Sequence, residues 1–485
     1  MIERRTSQRS VGGTVDWLLV LCWLALVLIG FLNIYSTVHY EYPEVLVWGS
    51  RACKQLVWIG TAVVMAAVIL FIIPSRIYEN VSVPAYVLMF FLLVLVIFIS
   101  KDTKGSNSWI EIGSVKIQPA EFSKITSSLM LANVISKMDL HFRCFKDYLI
   151  AGAVLLLPMA AIVAENETGS MLVYVGFLFV LYREGISGWW LALLGTVIAL
   201  FIITLRFGTV PALITVLAVA SFANGFLRGR KWLWLAINIP LLGLLISWSI
   251  VWPKLCVSHS DSFFCALKPL YLVLPLLLAQ IICYLIFGFR RRESFRMASA
   301  GVVAACMLAS FSVDLIFNNV LQEHQRKRIE VLLGMTEDPS GWGYNVHQSK
   351  IAIGSGGFFG KGYLNGTQST FGFVPEQSTD FIFCTIGEEW GFLGSVAVVL
   401  LYVFLIFRLV HDAEQCRSRF IRIYGYCVAS CFFMHLIINI GMTIGLMPVI
   451  GIPLPLVSYG GSSMWGFTTL LFIFLALNRE ERKYF

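Results

Sequence analysis

The chain has 485 residues, of which 58% are hydrophobic and only 13% are charged. A soluble globular protein carries about a quarter charged residues, so the composition excludes that class and indicates an integral membrane protein. Lysine and arginine exceed aspartate and glutamate by 36 to 28. In a membrane protein an excess of positive charge is explained by the basic residues that orient the chain in the membrane. We therefore exclude nucleic acid as a partner.

Apolar runs near the length that crosses a bilayer as a helix recur along the whole chain. They predict an all-α polytopic integral membrane protein that forms one membrane domain over residues 1–485, with about 14 spans. In chain order the runs are 17–36, 55–73, 83–100, 119–135, 149–164, 170–182, 188–206, 210–226, 232–252, 268–288, 299–319, 388–410, 424–445 and 464–478.

The distribution of basic residues orients these spans. Positive charge is concentrated in alternate connecting segments, most sharply at residues 290–296, and the positive-inside rule places that segment and both termini in the cytoplasm. The number of spans is therefore even. One short outer loop then holds Cys256 and Cys265, which either pair or remain free thiols.

One predicted outer segment, residues 320–387, is far longer than the others. Long loops in compact proteins are either functional or disordered. This loop mixes isoleucine and phenylalanine with glycine and polar residues, a composition that argues against disorder. We therefore predict a folded extracytoplasmic loop that carries the site.

Two charged residues fall early in the fourth run. Glu121 and Lys124 are three positions apart, so on a helix they share a face and can pair. One interpretation is that the pair lines a polar cavity or joins two helices. The alternative is that the span begins later and that both side chains lie at the membrane interface.

Other polar residues lie between or within the later apolar runs. Glu165 and Glu167 lie between the fifth and sixth runs, where a solvated loop and a cavity wall are both compatible with the sequence. His435 and Asn439 lie one turn apart within a run, which favours interhelical hydrogen bonds.

Two segments are rich in glycine or proline. Residues 446–463 contain too much of both for a continuous helix, so they must line a water-filled cavity or be buried in protein. Residues 354–362, GSGGFFGKG, lack the spacing of a nucleotide-binding phosphate loop. Their backbone amides and Lys361 either hold a diphosphate or simply form a turn.

Three separated blocks resemble one family closely: GSNSWIEIGSVKIQPAEFSK at 105–124, a long block at 338–394, and GLMPVIGIPLPLVSYGGSS at 445–463. The chain is identified by them as a member of the SEDS family (shape, elongation, division and sporulation), which includes RodA and FtsW. Within that family, Gly366-Thr367-Gln368 and the block that follows are similar to the elongation branch.

The resemblance implies a peptidoglycan glycosyltransferase of the bacterial inner membrane. Such an enzyme polymerises lipid II and undecaprenyl-linked glycan into strands for cell-wall elongation and rod shape. Its implied partners are a class B penicillin-binding protein and the elongation machinery. The alternatives are a lipid II flippase, the division or sporulation branch of the same family, and a non-catalytic scaffold for the crosslinking partner.

The resemblance also implies site residues. The catalytic aspartate of the family falls on Asp338, which the chemistry of the loop alone does not single out among its carboxylates. A divalent cation (Mg²⁺ or Mn²⁺) or a basic side chain would balance the diphosphate charge. The candidate residues around the substrate cavity are Glu121, Lys124, Trp109, Gln118, Gln348, Lys361, Gln368, Glu376, Asp380, Ser458 and Ser462.

The chain departs from the family pattern at several positions. Ser108 stands where the family has arginine, Glu167 where it has aspartate, and Gly334-Met335 where an Asp-Pro pair is common. Family members normally have ten spans, and the surplus here of about four implies inserted spans within residues 207–298.

Overall fold

A computed structural model describes the chain at residues 15–42, 47, 49–100, 108–112, 115–142, 144–227, 231–258, 268–291, 294–319, 321, 323–335, 341 and 343–483. These residues divide into two compact units. The first is drawn from Met1–Ser187 and Pro339–Phe485, and the second from Gly188–Asp338. Asp338 and Cys265 lie outside the described residues.

The first unit is a helical bundle with one small hairpin. Its strands β1 and β2 pair antiparallel, with Ile110 opposite Ile117. Its elements are α1 (Trp17–Val38), α2 (Arg51–Ala67) with a π-helical turn (Val68–Ile72), α3 (Arg76–Ile99), β1 (Ile110–Ile112), β2 (Val115–Ile117), α4 (Pro119–Lys137), α5 (Phe145–Ala164), α6 (Thr168–Val175) and α7 (Phe177–Arg183).

The second unit follows in sequence and is helical in its described part. Two buried apolar clusters stabilise it, one of them around Leu213, Val273 and Leu277. Its helices are α8 (Trp189–Phe207), α9 (Thr209–Leu227), α10 (Lys231–Ser258), α11 (Pro269–Arg291), α12 (Ser294–Asn319) and α13 (Glu323–Leu332).

The chain then returns to the first unit. The remaining helices are α14 (Tyr344–Ser355), α15 (Thr367–Thr370), α16 (Ile382–Gln415), α17 (Arg419–Thr443) and α18 (Gly461–Lys483). Helix α16 is broken at Gly391, whose φ of 64° and ψ of −158° are not helical. The first-unit core packs around α4, α17 and α18, and includes Tyr174, Phe432 and Phe467.

Helices cover all fourteen predicted runs, the sixth being divided at Gly176. In the part of the chain that the structure describes, nine helices are long and apolar enough to cross a membrane. The polytopic all-α class is confirmed, and the number of spans remains a prediction. Helix α4 is not among the nine, because its buried serines, Glu121 and Lys124 make it too polar.

Residues 444–460 form no regular structure, as their prolines and glycines predict. Its second half, residues 452–458, is nevertheless largely buried, with Leu454 and Val457 fully covered, whereas Leu446 in its first half is exposed. It packs so closely on α1 that a Cβ at Gly30 would lie 2.6 Å from the Val457 backbone. Irregular backbone at membrane depth is tolerated where protein covers it, and residues 452–458 meet that condition.

Candidate functional site

The centre of the site is a buried ion pair on α4. Lys124 Nζ donates to Glu121 Oε1 at 2.7 Å, and the two residues are 0% and 2% exposed. Both side chains are therefore enclosed by protein, which favours the interpretation in which the pair joins two helices. The pair also joins two helices, because Lys124 Nζ lies 2.8 Å from His435 Nε2 on α17.

The hydrogen-bond roles at His435 follow from chemistry. A lysine ammonium can only donate, so Nε2 of His435 accepts and the ring proton resides on Nδ1. Nδ1 lies 3.1 Å from the carbonyl oxygen of Pro453 and donates to it. One imidazole thus connects α4, α17 and the irregular segment 444–460. The ring of Phe467 closes the cluster, with its centroid 5.2 Å from Lys124 Nζ.

The start of α4 is fixed by the first and third family blocks together. The backbone amide of Gln118 donates to Ser462 Oγ at 3.2 Å, and Ser462 Oγ donates to the carbonyl of Lys116 at 3.2 Å. The Gln118 side-chain amide donates to Glu167 Oε1, which also accepts from Ser170 Oγ at 2.9 Å. Pro119 occupies the first turn of the helix, where its missing amide costs nothing.

The second and third blocks meet along residues 378–380. Ser458 Oγ donates to the carbonyl of Thr379 at 2.6 Å, and the amide of Tyr459 donates to the carbonyl of Ser378 at 2.9 Å. Asn439 Nδ2 donates to the carbonyls of Asp380 and Ile452 at 2.8 and 2.7 Å. Asn439 therefore makes tertiary hydrogen bonds, but its partners lie in irregular segments and not on another helix as predicted.

Lys361 and Gln368 converge on a buried carboxylate that the sequence analysis did not select. Glu388 Oε1 accepts from Lys361 Nζ at 2.7 Å and from the Gln368 amide at 2.8 Å. Its Oε2 accepts from both the amide and the hydroxyl of Ser369 at 2.9 Å. Glu388 thereby holds the start of α15, and Lys361 balances its charge.

The glycine-rich stretch 354–362 packs against the break in α16. The amides of Lys361 and Gly362 donate to the carbonyls of Glu388 and Glu389 at 3.0 Å. The amide of Gly360 donates within the turn at 2.8 Å. These amides already donate to carbonyl groups of the protein. The interpretation of this stretch as a turn is therefore favoured, and its interpretation as a diphosphate-binding loop is not.

The remaining candidates lie in the same unit. Trp109 and Gln348 are half-buried, on the approach to β1 and on α14. Glu376 has a φ of 53° and its carbonyl accepts from the amides of Thr379 and Phe381. Asp380 lies near Gly451, where an added Cβ would be 3.3 Å from its Oδ2. All the candidates except Asp338 therefore lie in the first unit, and Asp338 lies outside the described residues.

Glu165 is a buried carboxyl group that the sequence left undecided. It is 0% exposed, so a solvated loop is excluded. Neither of its oxygens has a hydrogen-bond partner in the described part of the chain. Burial raises the pKa of the Glu165 carboxyl to about 8, and the nearby charge of Glu167 adds to the rise. Within the described residues, no group of three or more histidine, cysteine, aspartate or glutamate side chains is placed to hold a metal ion.

The fold and the site define a polytopic membrane protein in which hydrogen bonds join the first sequence block, with its buried ion pair, to the third block and the third block to the second. A family model described as cell cycle protein, FTSW_RODA_SPOVE, matches residues 16–226 and 294–483. The chain belongs to this family. The match leaves residues 227–293 unassigned, within the range predicted to hold inserted spans.

Relatives and solved structures agree with this assignment. The chain is 30% identical to peptidoglycan glycosyltransferase RodA of Treponema pallidum over 96% of its own length and 98% of the relative. It is 30% identical to peptidoglycan glycosyltransferase MrdB of Escherichia coli K12, over 81% and 76% of the two chains.

Two solved structures share the fold. One belongs to a study of the structural coordination of polymerization and crosslinking by a peptidoglycan synthase complex. It has a TM-score of 0.58 at 22% identity, covering 97% of this chain and 99% of the other. The other is rod shape determining protein RodA of Thermus thermophilus, with a TM-score of 0.55 at 19% identity, covering 97% and 98%.

Proposed function

We propose that this chain is a peptidoglycan glycosyltransferase of the bacterial inner membrane that polymerises lipid II for cell-wall elongation. The observation that carries the proposal is the convergence of the three family blocks in one unit. Gln118 meets Ser462, and Ser378 meets Tyr459, although these residues are far apart in sequence. The 30% identity with a RodA glycosyltransferase over nearly the whole chain supports the same activity.

The proposed base is Asp338. Its carboxylate takes the proton from the C4 hydroxyl of an acceptor lipid II, while that oxygen attacks the anomeric carbon of the growing glycan. The bond from the anomeric carbon to the phosphate oxygen breaks, and the lipid diphosphate leaves with the electron pair. A positioned carboxylate of this kind contributes about 10²–10⁴-fold to the rate.

The role proposed for Glu121 and Lys124 is to position the site. Lys124 is enclosed by Glu121, His435 and the Phe467 ring, so it fixes α4 against α17. The same contacts hold Pro453, and through it the irregular segment that contacts residues 378–380. This arrangement gives the substrate-binding surface a rigid wall.

The proposed partner is a class B penicillin-binding protein that crosslinks the strands. The structural relative described as part of a peptidoglycan synthase complex supports this proposal. We further propose cytoplasmic termini and inserted spans within residues 207–298. The extracytoplasmic loop 320–387 would then carry Asp338 on the outer face.

A transporter that moves lipid II across the membrane is the second candidate. Buried polar residues continue along α4 to Asn133, about 22 Å beyond Gln118 at 1.5 Å per residue. Most of them are engaged inside the protein: Ser123 and Ser127 bond Tyr174 at 2.8 and 3.1 Å. Such fixed hydrogen bonds suit helix packing better than a path for a polar headgroup.

The deciding experiment is polymerisation of labelled lipid II by the purified chain with its cognate penicillin-binding protein. We expect glycan strands from the wild type and from Glu337→Gln, and none from Asp338→Asn. The Glu337 variant is a matched control, because it removes the neighbouring carboxylate. Polymer formation by Asp338→Asn would exclude Asp338 as the base. Absence of polymer together with lipid II crossing in vesicles would favour the transporter.

A further inference from the structure

Two carboxyl groups lie between α5 and α6, close enough for the charge of Glu167 to act on Glu165, and the described residues do not supply enough donors to satisfy them. Glu165 is fully buried, and neither of its oxygens has a partner. Oε1 of Glu167 accepts from Gln118 and Ser170, whereas its Oε2 is buried and has no partner. Three buried carboxyl oxygens therefore lack a donor among the residues that the structure describes.

A buried carboxylate without a partner is costly. Among the described residues, no lysine, arginine or histidine forms an ion pair or hydrogen bond with either group. The nearest buried cation on α4, Lys124, is already committed to Glu121 and His435. The two donors that do reach Glu167 are neutral, so they leave its charge uncompensated.

We propose that Glu165 and Glu167 bind a divalent cation, Mg²⁺ or Mn²⁺. Carboxylate oxygens without nitrogen or sulfur ligands suit these hard cations. Mg²⁺ in particular is commonly held by one or two carboxylates, and completes its shell with water and substrate phosphates. Two protein ligands are therefore sufficient for a site of this type, and a third side chain is not required.

The location connects the cation to the site. Glu167 holds the side chain of Gln118, and the backbone of Gln118 bonds Ser462, so the cation would lie at the start of α4 beside two candidate cavity residues. A lipid-linked diphosphate would supply the remaining ligands and have its charge neutralised. This last step rests on the proposed function, whereas binding of the cation itself does not.

The test uses the purified full chain, stripped of metal, and Mn²⁺ as the probe. Mn²⁺ affinity is measured by electron paramagnetic resonance, and thermal unfolding is followed with and without Mn²⁺. The variants are Glu165→Gln and, as a control, Glu111→Gln. Glu111 is an exposed carboxylate on the hairpin that precedes α4, and it pairs with Lys116 at 2.5 Å.

We expect one Mn²⁺ per wild-type chain and an affinity that falls at least ~10-fold in Glu165→Gln. Mn²⁺ should raise the melting temperature of the wild type and of Glu111→Gln, but not that of Glu165→Gln. Without metal, Glu165→Gln should melt no lower than the wild type, since it replaces a buried carboxyl group that has no donor among the described residues. If Glu165→Gln does not fold, Glu167→Gln provides the same comparison.

Equal Mn²⁺ affinity in the wild type and Glu165→Gln, or no binding by the wild type, would overturn the site. Lipid II polymerisation measured in the same preparations separates the two proposals. Polymerisation without Mn²⁺ binding would leave the proposed function standing and remove the cation site. Mn²⁺ binding that requires Glu165, in a chain that makes no polymer, would support the cation site and count against the transferase.

Discussion

Lys124 Nζ lies 2.8 Å from His435 Nε2, although 311 positions separate the two residues in the chain. Because lysine only donates, this contact fixes the imidazole tautomer, and that tautomer in turn donates to Pro453. The orientation of the irregular segment 444–460 is thus linked to a charge on α4. The ion pair between Lys124 and Glu121 is therefore a structural centre of the first unit.

Removing only one member of this ion pair should be more damaging than removing both. Lys124→Met leaves the Glu121 carboxylate buried and unpaired, which costs about 3–5 kcal/mol. The double variant Glu121→Gln with Lys124→Met has no buried charge, so we expect it to recover much of the lost melting temperature. Thermal unfolding of the wild type, the two single variants and the double variant in one detergent gives the coupling energy.

The same four proteins also separate stability from activity. The double variant still lacks the donor that orients His435, so we expect its lipid II polymerisation to stay at least ~10-fold below the wild type. A double variant as unstable as Lys124→Met would show that unpaired charge is not the cause of the loss. A stable double variant with full activity would contradict the proposal that Glu121 and Lys124 position the site.

Much of the helical framework could be predicted, because membrane helices must satisfy their backbone internally and are therefore long and apolar. The polar helix α4 was still recognisable from the apolar residues around Glu121 and from Pro119 at its start. The interruption at 444–460 was predictable for a similar reason, since proline and glycine do not maintain a continuous helix.

The contacts between site residues could not be predicted as well, because they depend on which distant parts of the chain come together in the fold. His435 was correctly expected to form an interhelical hydrogen bond, yet nothing local identifies Lys124 as the partner. The sequence left open whether the stretch with Lys361 binds a diphosphate or forms a turn, whereas in the structure Lys361 Nζ donates to Glu388, 27 positions later. An undecided pair such as Glu165 and Glu167 required burial and donor information that a sequence does not contain.

Gly360 should not tolerate a side chain. Its φ is +82°, and an added Cβ would lie 2.1 Å from the carbonyl oxygen of Glu389, which belongs to the rigid break in α16. We expect Gly360→Ala to cost about 3 kcal/mol or more. The matched control is Gly354→Ala, because Gly354 lies within α14 and has open space around its Cβ position.

Thermal unfolding checks the comparison of these two glycines. Gly354→Ala should match or exceed the wild type by up to about 1 kcal/mol, as alanine favours helix. Equal melting temperatures for Gly360→Ala and Gly354→Ala would contradict the packing of the turn against α16. If only Gly360→Ala loses stability, the glycine at position 360 is explained by the close approach of its backbone to the backbone of α16.

Asp16 should stabilise the fold in a pH-dependent way. Burial acts to raise its pKa, but the Arg408 guanidinium, bonded to Oδ2 at 2.9 and 2.6 Å, outweighs burial and holds the pKa of Asp16 below its ordinary value. A carboxylate with a depressed native pKa stabilises the folded state above its unfolded pKa of about 3.9. That contribution is lost as the pH falls through the native pKa.

The comparison is between the wild type and Asp16→Asn over a pH series. At pH 7 the variant should be less stable by about 2 kcal/mol, the scale of a charged hydrogen-bonded pair. The difference should shrink below about pH 4, where Asp16 of the unfolded chain begins to take up a proton while the folded chain still resists it. A difference that stays constant down to the lowest pH at which the chain stays folded would show that the Asp16 contact with Arg408 does not depend on ionisation.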